Sequence, residues 1–158
     1  MKKMTVSPEG KNLIKSFEGF SLESYLCPAG VPTIGWGHTK GVRLGQRITL
    51  AMAEDMLVED IAPIERQLNG LKINFRQCQF DALVSWIFNL GEGNFKQSTL
   101  LKKIMADAKD EEISDEIVKW VYAGKKPLPG LMNRRVMEAT LFLGYDRYKI
   151  NDGKVVKI

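Results

Sequence analysis

The chain is poor in the residues that most often carry metal and disulfide chemistry. Its 158 residues include one histidine, His38, and two cysteines, Cys27 and Cys78. A single histidine excludes zinc motifs built on two, so neither a metal nor a cofactor is expected. The cysteines lie far apart without ligand spacing, which leaves a reduced chain as the expectation. No apolar run approaches the roughly 18 residues that a membrane helix requires, so stable membrane insertion is not expected. The segment Met1-Lys2-Lys3-Met4-Thr5 is basic but lacks the apolar stretch of a signal peptide. Synthesis in the cytoplasm, without an export signal of its own, is therefore expected. Repeats, low-complexity tracts and linkers are missing. So is a phosphate-binding loop, and Gly35 to Gly41 has the wrong spacing for a dinucleotide fingerprint. The basic pairs Lys102-Lys103 and Lys125-Lys126 are scattered rather than striped with aromatics, which argues against a nucleic-acid partner.

What remains is an ordinary globular composition. Apolar residues make up 44%, enough for a core, and charged residues 27%. The net charge of +4 fits an anionic polymer without choosing among nucleic acid, cell-wall glycan and lipid surface. The length fits one domain over residues 1–158, with a monomer as the default.

Ser7-Pro8 reads as an N-cap with proline at the first helical position, and Leu13, Ile14 and Phe17 form the apolar stripe of a first helix. Gly19 stops it, which places Glu18 at its C-terminus. Residues 20–48 alternate glycines and prolines with strand formers such as Tyr25, Val31, Ile34, Trp36 and Ile48. They read as a small antiparallel sheet that needs helices packed on it. The rest is helical. Thr49 caps a helix that Pro63 should kink or restart. Asn74 with Gln77 opens a helix over 75–90 that Gly91 ends. Further helices are expected from Ser98 to Met105, from about Glu111 to Tyr122 and from about Gly130 to Leu143. The tail reads as a polar surface hairpin around Asn151-Asp152-Gly153. Helix, small sheet, then helices is a segregated α+β pattern, with a sheet lobe at about 19–48 and a helical lobe at about 49–144. A ligand site is expected between the lobes.

Glu18 faces the negative end of a helix dipole and neighbours Phe17 and Phe20. Both settings disfavour ionisation, as a general acid near neutral pH requires; the plain alternative is a solvated helix-end glutamate. Cys27 and Thr33 flank the turn Pro28-Ala29-Gly30 and can share one side of a hairpin. Together they can hold a water opposite an acid, the arrangement of glycoside hydrolysis with inversion, or Cys27 is a half-buried strand residue. His38 reads as a structural partner of Asp60, or as the base of a Cys27–His38 nucleophilic dyad. Arg134 and Arg135 read as solvated, or one turns inward to hold Glu18, which would lower its pKa.

These residues resemble the phage-type lysozymes, the endolysin family of glycoside hydrolase family 24. The family pattern is a glutamate, eight residues, an aspartate or cysteine, five residues and a threonine, which Glu18, Cys27 and Thr33 match. The run Thr33 to His38, the stretch Phe88-Asn89-Leu90-Gly91-Glu92, the stretch Phe95 to Ser98 and the segment 130–143 extend the resemblance over about residues 7–144. It implies a lysozyme-like α+β fold and cleavage of the β-1,4 bond between N-acetylmuramic acid and N-acetylglucosamine in bacterial peptidoglycan. It makes Glu18 the proton donor, places Cys27 where many relatives carry aspartate, and gives Thr33 the positioning of water. It implies a His38–Asp60 structural pair, and substrate contacts at Thr39, Phe88 and Ser98. A phage or prophage protein made in the host cytoplasm and acting on the wall after release also follows from the resemblance. A lytic transglycosylase using the same glutamate, and a Cys27–His38 wall peptidase or amidase, stand as the alternatives.

Overall fold

A computed structural model describes residues 2–158. The first helix, α1 (Pro8–Phe17), starts where its sequence says it should: the Ser7 hydroxyl accepts from the Gly10 N–H, and Pro8 occupies the first turn. The Ser7 backbone N–H and hydroxyl both donate to Asp81, which fixes the helix entrance to the core. Gly10 permits that close approach, because a Cβ there would sit 2.6 Å from Val6 and 2.7 Å from Asp81. At the other end Glu18 turns extended (φ −90°, ψ 138°) while its N–H still bonds Ile14. The acid is thus delivered at the lip of a helix seated on the core.

Two strands follow, β1 (Ser21–Leu26) and β2 (Pro32–Gly35), antiparallel with Tyr25 opposite Thr33. The turn between them closes through Cys27 N–H to Val31 C=O and Gly30 N–H to Cys27 C=O, with Gly30 at φ 77°. The expected sheet over 20–48 is smaller than its composition indicates. Beyond Gly35 the chain forms turns, tied back by backbone bridges at Ile34–His38 and Glu23–Arg47. Ile34, Ile48 and Ala53 bury a small satellite core where this hairpin meets the next helix.

Helix α2 (Leu50–Gly70) is capped by Thr49 and runs uninterrupted through Pro63. The proline neither ends nor restarts it. Leu57, Ile61, Ile64 and Leu68 anchor both sides of the defect in the main core, and that burial outweighs the roughly 3 kcal/mol intrinsic cost of proline. Helix α3 (Gln77–Leu90) begins three residues after Asn74, where the Gln79 side chain accepts from the Arg76 N–H. It is the central element, buried from Gln79 to Ile87. Trp86 packs edge-on against Phe95 and Trp120 and donates its indole N–H to Ile117 C=O. Short helices α4 (Glu92–Gln97), α5 (Thr99–Met105) and α6 (Asp110–Ile117) wrap it. The sixth stops at Ile117 rather than Tyr122, because residues 122–127 form a two-residue hairpin, β3 (Tyr122–Ala123) with β4 (Lys126–Pro127). Helix α7 (Pro129–Leu143) packs along α3 and ends at Gly144 in the left-handed region (φ 85°). The tail forms β5 (Tyr148–Asn151) and β6 (Lys154–Lys157) around the expected Asp152-Gly153 turn. It is not merely a surface hairpin. Tyr148 is buried, with its hydroxyl 2.6 Å from both Ser114 Oγ and Asp115 Oδ1. Among the described residues no helix is long and apolar enough to cross a membrane.

Candidate active site

A cleft of about 510 Å³ opens between the hairpin and the helices. Glu18, Cys27 and Thr33 all line it, together with Thr39 and Phe88. Three local features bring the first three together. The C-terminus of α1 presents Glu18, the end of β1 presents Cys27, and the β2 register puts Thr33 beside Tyr25.

Glu18 is mostly enclosed, its side chain 23% exposed. Burial pushes its carboxyl above the ordinary value, and the neighbouring Arg134 charge opposes this without overcoming it. The sequence left that competition open. Arg134 Nη1 stands 3.6 Å from Glu18 Oε1, close enough to pair charges and too far for a direct hydrogen bond. Both arginines turn inward. Arg134 is 3% exposed and Arg135 fully enclosed, but only Arg134 reaches Glu18. It lies over the Phe17 ring and donates from Nη2 to Ser85 C=O and from Nε to Glu138. Arg135 instead holds Trp120 C=O, Asn89 and the other Glu138 oxygen.

Cys27 is partly exposed and unbridged. Its thiol is held below the ordinary value, first by the Val31 backbone N–H, then by that of Ala29, with the Thr33 hydroxyl adding to them. A tight turn that gathers N–H groups around sulfur stabilises the thiolate. The Thr33 side chain is buried and its hydroxyl reaches Val31 C=O at 2.9 Å. A sulfur able to accept a hydrogen bond and an anchored hydroxyl therefore line the same cleft.

His38 does not join them. Its ring is buried, Nδ1 lies 2.9 Å from Asp60 Oδ2, and its backbone pairs with Ile34. Among the described residues no hydrogen bond links it to Cys27, so the geometry gives that cysteine no base of the dyad kind. Ser98 is not brought to the cleft either. Its buried hydroxyl donates to Phe95 C=O at 2.7 Å and accepts from the Leu101 N–H at 3.0 Å, as the N-cap of α5.

Sequence reasoning missed several residues. Tyr25, Lys40 and Glu92 also line the cleft; Tyr25 reads in the sequence only as a strand former, Glu92 only as part of a resembling stretch, and nothing in the local pattern marks Lys40. Glu138 was also missed, although its spacing of four and three residues after Arg134 and Arg135 was a usable signal. Among the described residues no group of three or more histidines, cysteines and carboxylates is placed to hold a metal.

The model of the phage lysozyme family matches residues 15–138. An endolysin of Acyrthosiphon pisum secondary endosymbiont phage 1 is 44% identical over 144 residues, 88% of this chain and 98% of that protein. An endolysin of Bacillus phage PZA is 41% identical over 88% of this chain, which spans 55% of that longer protein. Among solved structures, the muramidase domain of SpmX from Asticaccaulis excentricus superposes with a TM-score of 0.81 at 36% identity, covering 88% of this chain and 97% of that one. The fold is lysozyme-like α+β, and the chain belongs to the phage lysozyme family of peptidoglycan-lytic enzymes.

Proposed function

We propose that this chain is a muramidase that hydrolyses the β-1,4 bond between N-acetylmuramic acid and N-acetylglucosamine. The observation carrying the reading is that one cleft holds Glu18, whose burial raises its carboxyl pKa, together with Cys27, whose turn lowers its thiol pKa, and an anchored Thr33. Glu18 gives its proton to the bridging oxygen as the glycosidic bond lengthens. Water held by the Cys27 sulfur and the Thr33 hydroxyl attacks the anomeric carbon from the other face, and the Cys27 thiolate accepts its proton. Two groups separated by a water, one an acid and one a base, define the inverting mode. A negative sulfur also offsets the positive charge that develops on the sugar ring.

Thr39 and Phe88, on the cleft wall, contact the glycan in this reading, whereas Ser98 serves as a helix cap. The His38–Asp60 pair braces the hairpin, Arg134 stands beside the acid, and Arg135 supports it from behind through Glu138. The chain works as one domain and a monomer, on peptidoglycan rather than nucleic acid, once released from the cytoplasm in which it is made.

The test is turnover of purified peptidoglycan by Glu18→Gln, followed by reducing-end assay and mass analysis of the fragments. Loss of at least about a hundredfold, the scale of general acid catalysis, is expected. Near-normal turnover would remove Glu18 from the chemistry. Anhydromuramic ends from the unaltered enzyme would make it a transglycosylase, and released peptides without reducing sugars would make it a peptidase or amidase.

A further inference from the structure

Beneath the acid lies a buried carboxylate that the proposed reaction does not use. Glu138 is completely enclosed between α7 and α3. Its Oε2 accepts from Ser85 Oγ at 2.5 Å and from Arg134 Nε at 3.1 Å, while Oε1 takes Arg135 Nη1. With Arg134 Nη2 donating to Ser85 C=O at 3.0 Å, three of the guanidinium's donor directions are accounted for by Glu138, Ser85 and the approach to Glu18. Such a fork is rigid, because the planar group cannot turn toward one partner without leaving another.

We propose that Glu138 is a positioning residue for the general acid: it restrains the Arg134 guanidinium from closing onto Glu18. The inference rests on the role given to Glu18 above. A free Arg134 would find its best partner in a bidentate pair with the nearest carboxylate, and that carboxylate is Glu18, 3.6 Å away. Closing the gap would fix Glu18 as an anion and end its use as a proton donor. Glu138 prevents this in two ways. It occupies the Nε edge of Arg134, and its negative charge offsets two cations in a region without solvent. Removing it works in one direction through both routes, toward an ionised Glu18.

The other charged groups around Glu18 do not replace it. From its own helix, Lys15 is engaged by Glu54 at 2.5 Å and lies over the Trp36 ring. Asp60 on α2 is bound to His38. Glu92 on α4, with Lys40, Cys27 and Tyr25 from the hairpin side, stands on the cleft wall, open to solvent. Arg134 is the cation packed against the acid, and Glu138 is the anion that governs it.

The experiment is the pH dependence of kcat/KM on peptidoglycan for Glu138→Gln, with a carbon NMR titration of the Glu18 carboxyl alongside. The expected result is an alkaline limb moved about one pH unit toward acid, about tenfold less activity at a fixed pH on that limb. Activity on the acid side should be nearly retained, and the Glu18 titration should move with the limb. A merely structural Glu138 would instead scale the whole profile down without moving it, and that result overturns the proposal. Should Glu138→Gln not fold, Arg135→Met with Glu138→Gln removes one charge of each sign, still leaves Arg134 unrestrained and takes its place. Glu18→Gln separates the two ideas. If it stays active, the proton-donor reading falls; if it is inactive while the limb stays fixed in Glu138→Gln, only the role of Glu138 falls.

Discussion

His38 Nδ1 lies 2.9 Å from Asp60 Oδ2, joining the end of the hairpin to the middle of α2. The pair spans two lobes that also meet at the small cluster around Ile34, Ile48 and Ala53 and at Trp36. Asp60→Leu would leave a buried ring nitrogen without a partner, at a cost of about 2 kcal/mol. Urea unfolding should show a lower midpoint with an unchanged slope. Asp60→Asn, which still accepts a hydrogen bond, should recover about half of the loss. An unchanged midpoint in Asp60→Leu would mean that the pair does not brace the hairpin.

How far the sequence reached can be judged from single residues. Ser7, Thr49, Gly91 and Gly144 punctuate helices because capping is a local interaction, readable from a few neighbours. Glu18, Cys27 and Thr33 converge because the turn between β1 and β2 is short and its register is fixed by Tyr25 opposite Thr33. What the sequence left open is mostly non-local. Pro63 is tolerated because four buried side chains hold its helix. The six residues of α4 are too short for a period to appear. The sequence left open whether Arg134 and Arg135 face solvent, and that is settled only when α7 packs on α3 and brings Ser85 to Arg134. Ser98 reads both as the start of a helix and, by resemblance, as a substrate contact, and its hydroxyl caps α5.

Cys27 should react faster than Cys78. Its thiol is held low by the Val31 and Ala29 N–H groups, so more of it is thiolate at neutral pH. The Cys78 sulfur instead lies outside the cleft, 3.8 Å from the Phe142 carbonyl. Limited iodoacetamide treatment at pH 7, followed by peptide mass mapping, should place the first label on Cys27. Activity should fall in step with that label, by at least about tenfold at completion. Full activity in fully labelled enzyme would show that the sulfur holds no essential water.

The hydroxyl of Thr33 and its shape can be separated. Thr33→Val keeps the β-branched side chain that suits β2 and removes only the oxygen that reaches Val31 C=O. Folding should lose about 1 kcal/mol by thermal unfolding. Turnover should fall by about tenfold or more if the oxygen positions water. Thr33→Ser should restore most of the activity. Equal activity in Val and Ser variants would leave Cys27 to hold the water alone.

The acid should also cost stability. Glu18 has a folded value above its unfolded 4.5, because burial penalises the charged form more than Arg134 favours it. Such a group binds its proton more tightly in the native state. Its contribution to folding is fully present below pH 4.5 and is lost as pH rises through the folded value. Glu18→Gln carries no charge at any pH and escapes that loss. Its melting temperature should therefore exceed that of the unaltered protein at pH 7, and the two should converge as pH falls below 4.5. A variant less stable than the parent at pH 7 would show that the Arg134 pairing outweighs burial.

The tail gives a prediction independent of the chemistry. Burial, followed by the hydrogen bond to Asp115, pushes the Tyr148 hydroxyl up to about 12. A group whose folded value is raised stabilises the fold fully below its unfolded value of 10.0 and loses that contribution as pH rises through about 12. In an ultraviolet titration of the four tyrosines, Tyr148 should ionise last, and Tyr148→Phe should delete that late step. The same variant should cost about 1 kcal/mol near neutral pH. The cost is small because Asp115 keeps Arg147 at 3.2 Å and Lys157 at 3.2 Å, and Ser114 keeps its bond to Glu111 C=O. A late ionisation that persists in Tyr148→Phe would mean that the tail is not docked on α6 through this hydroxyl.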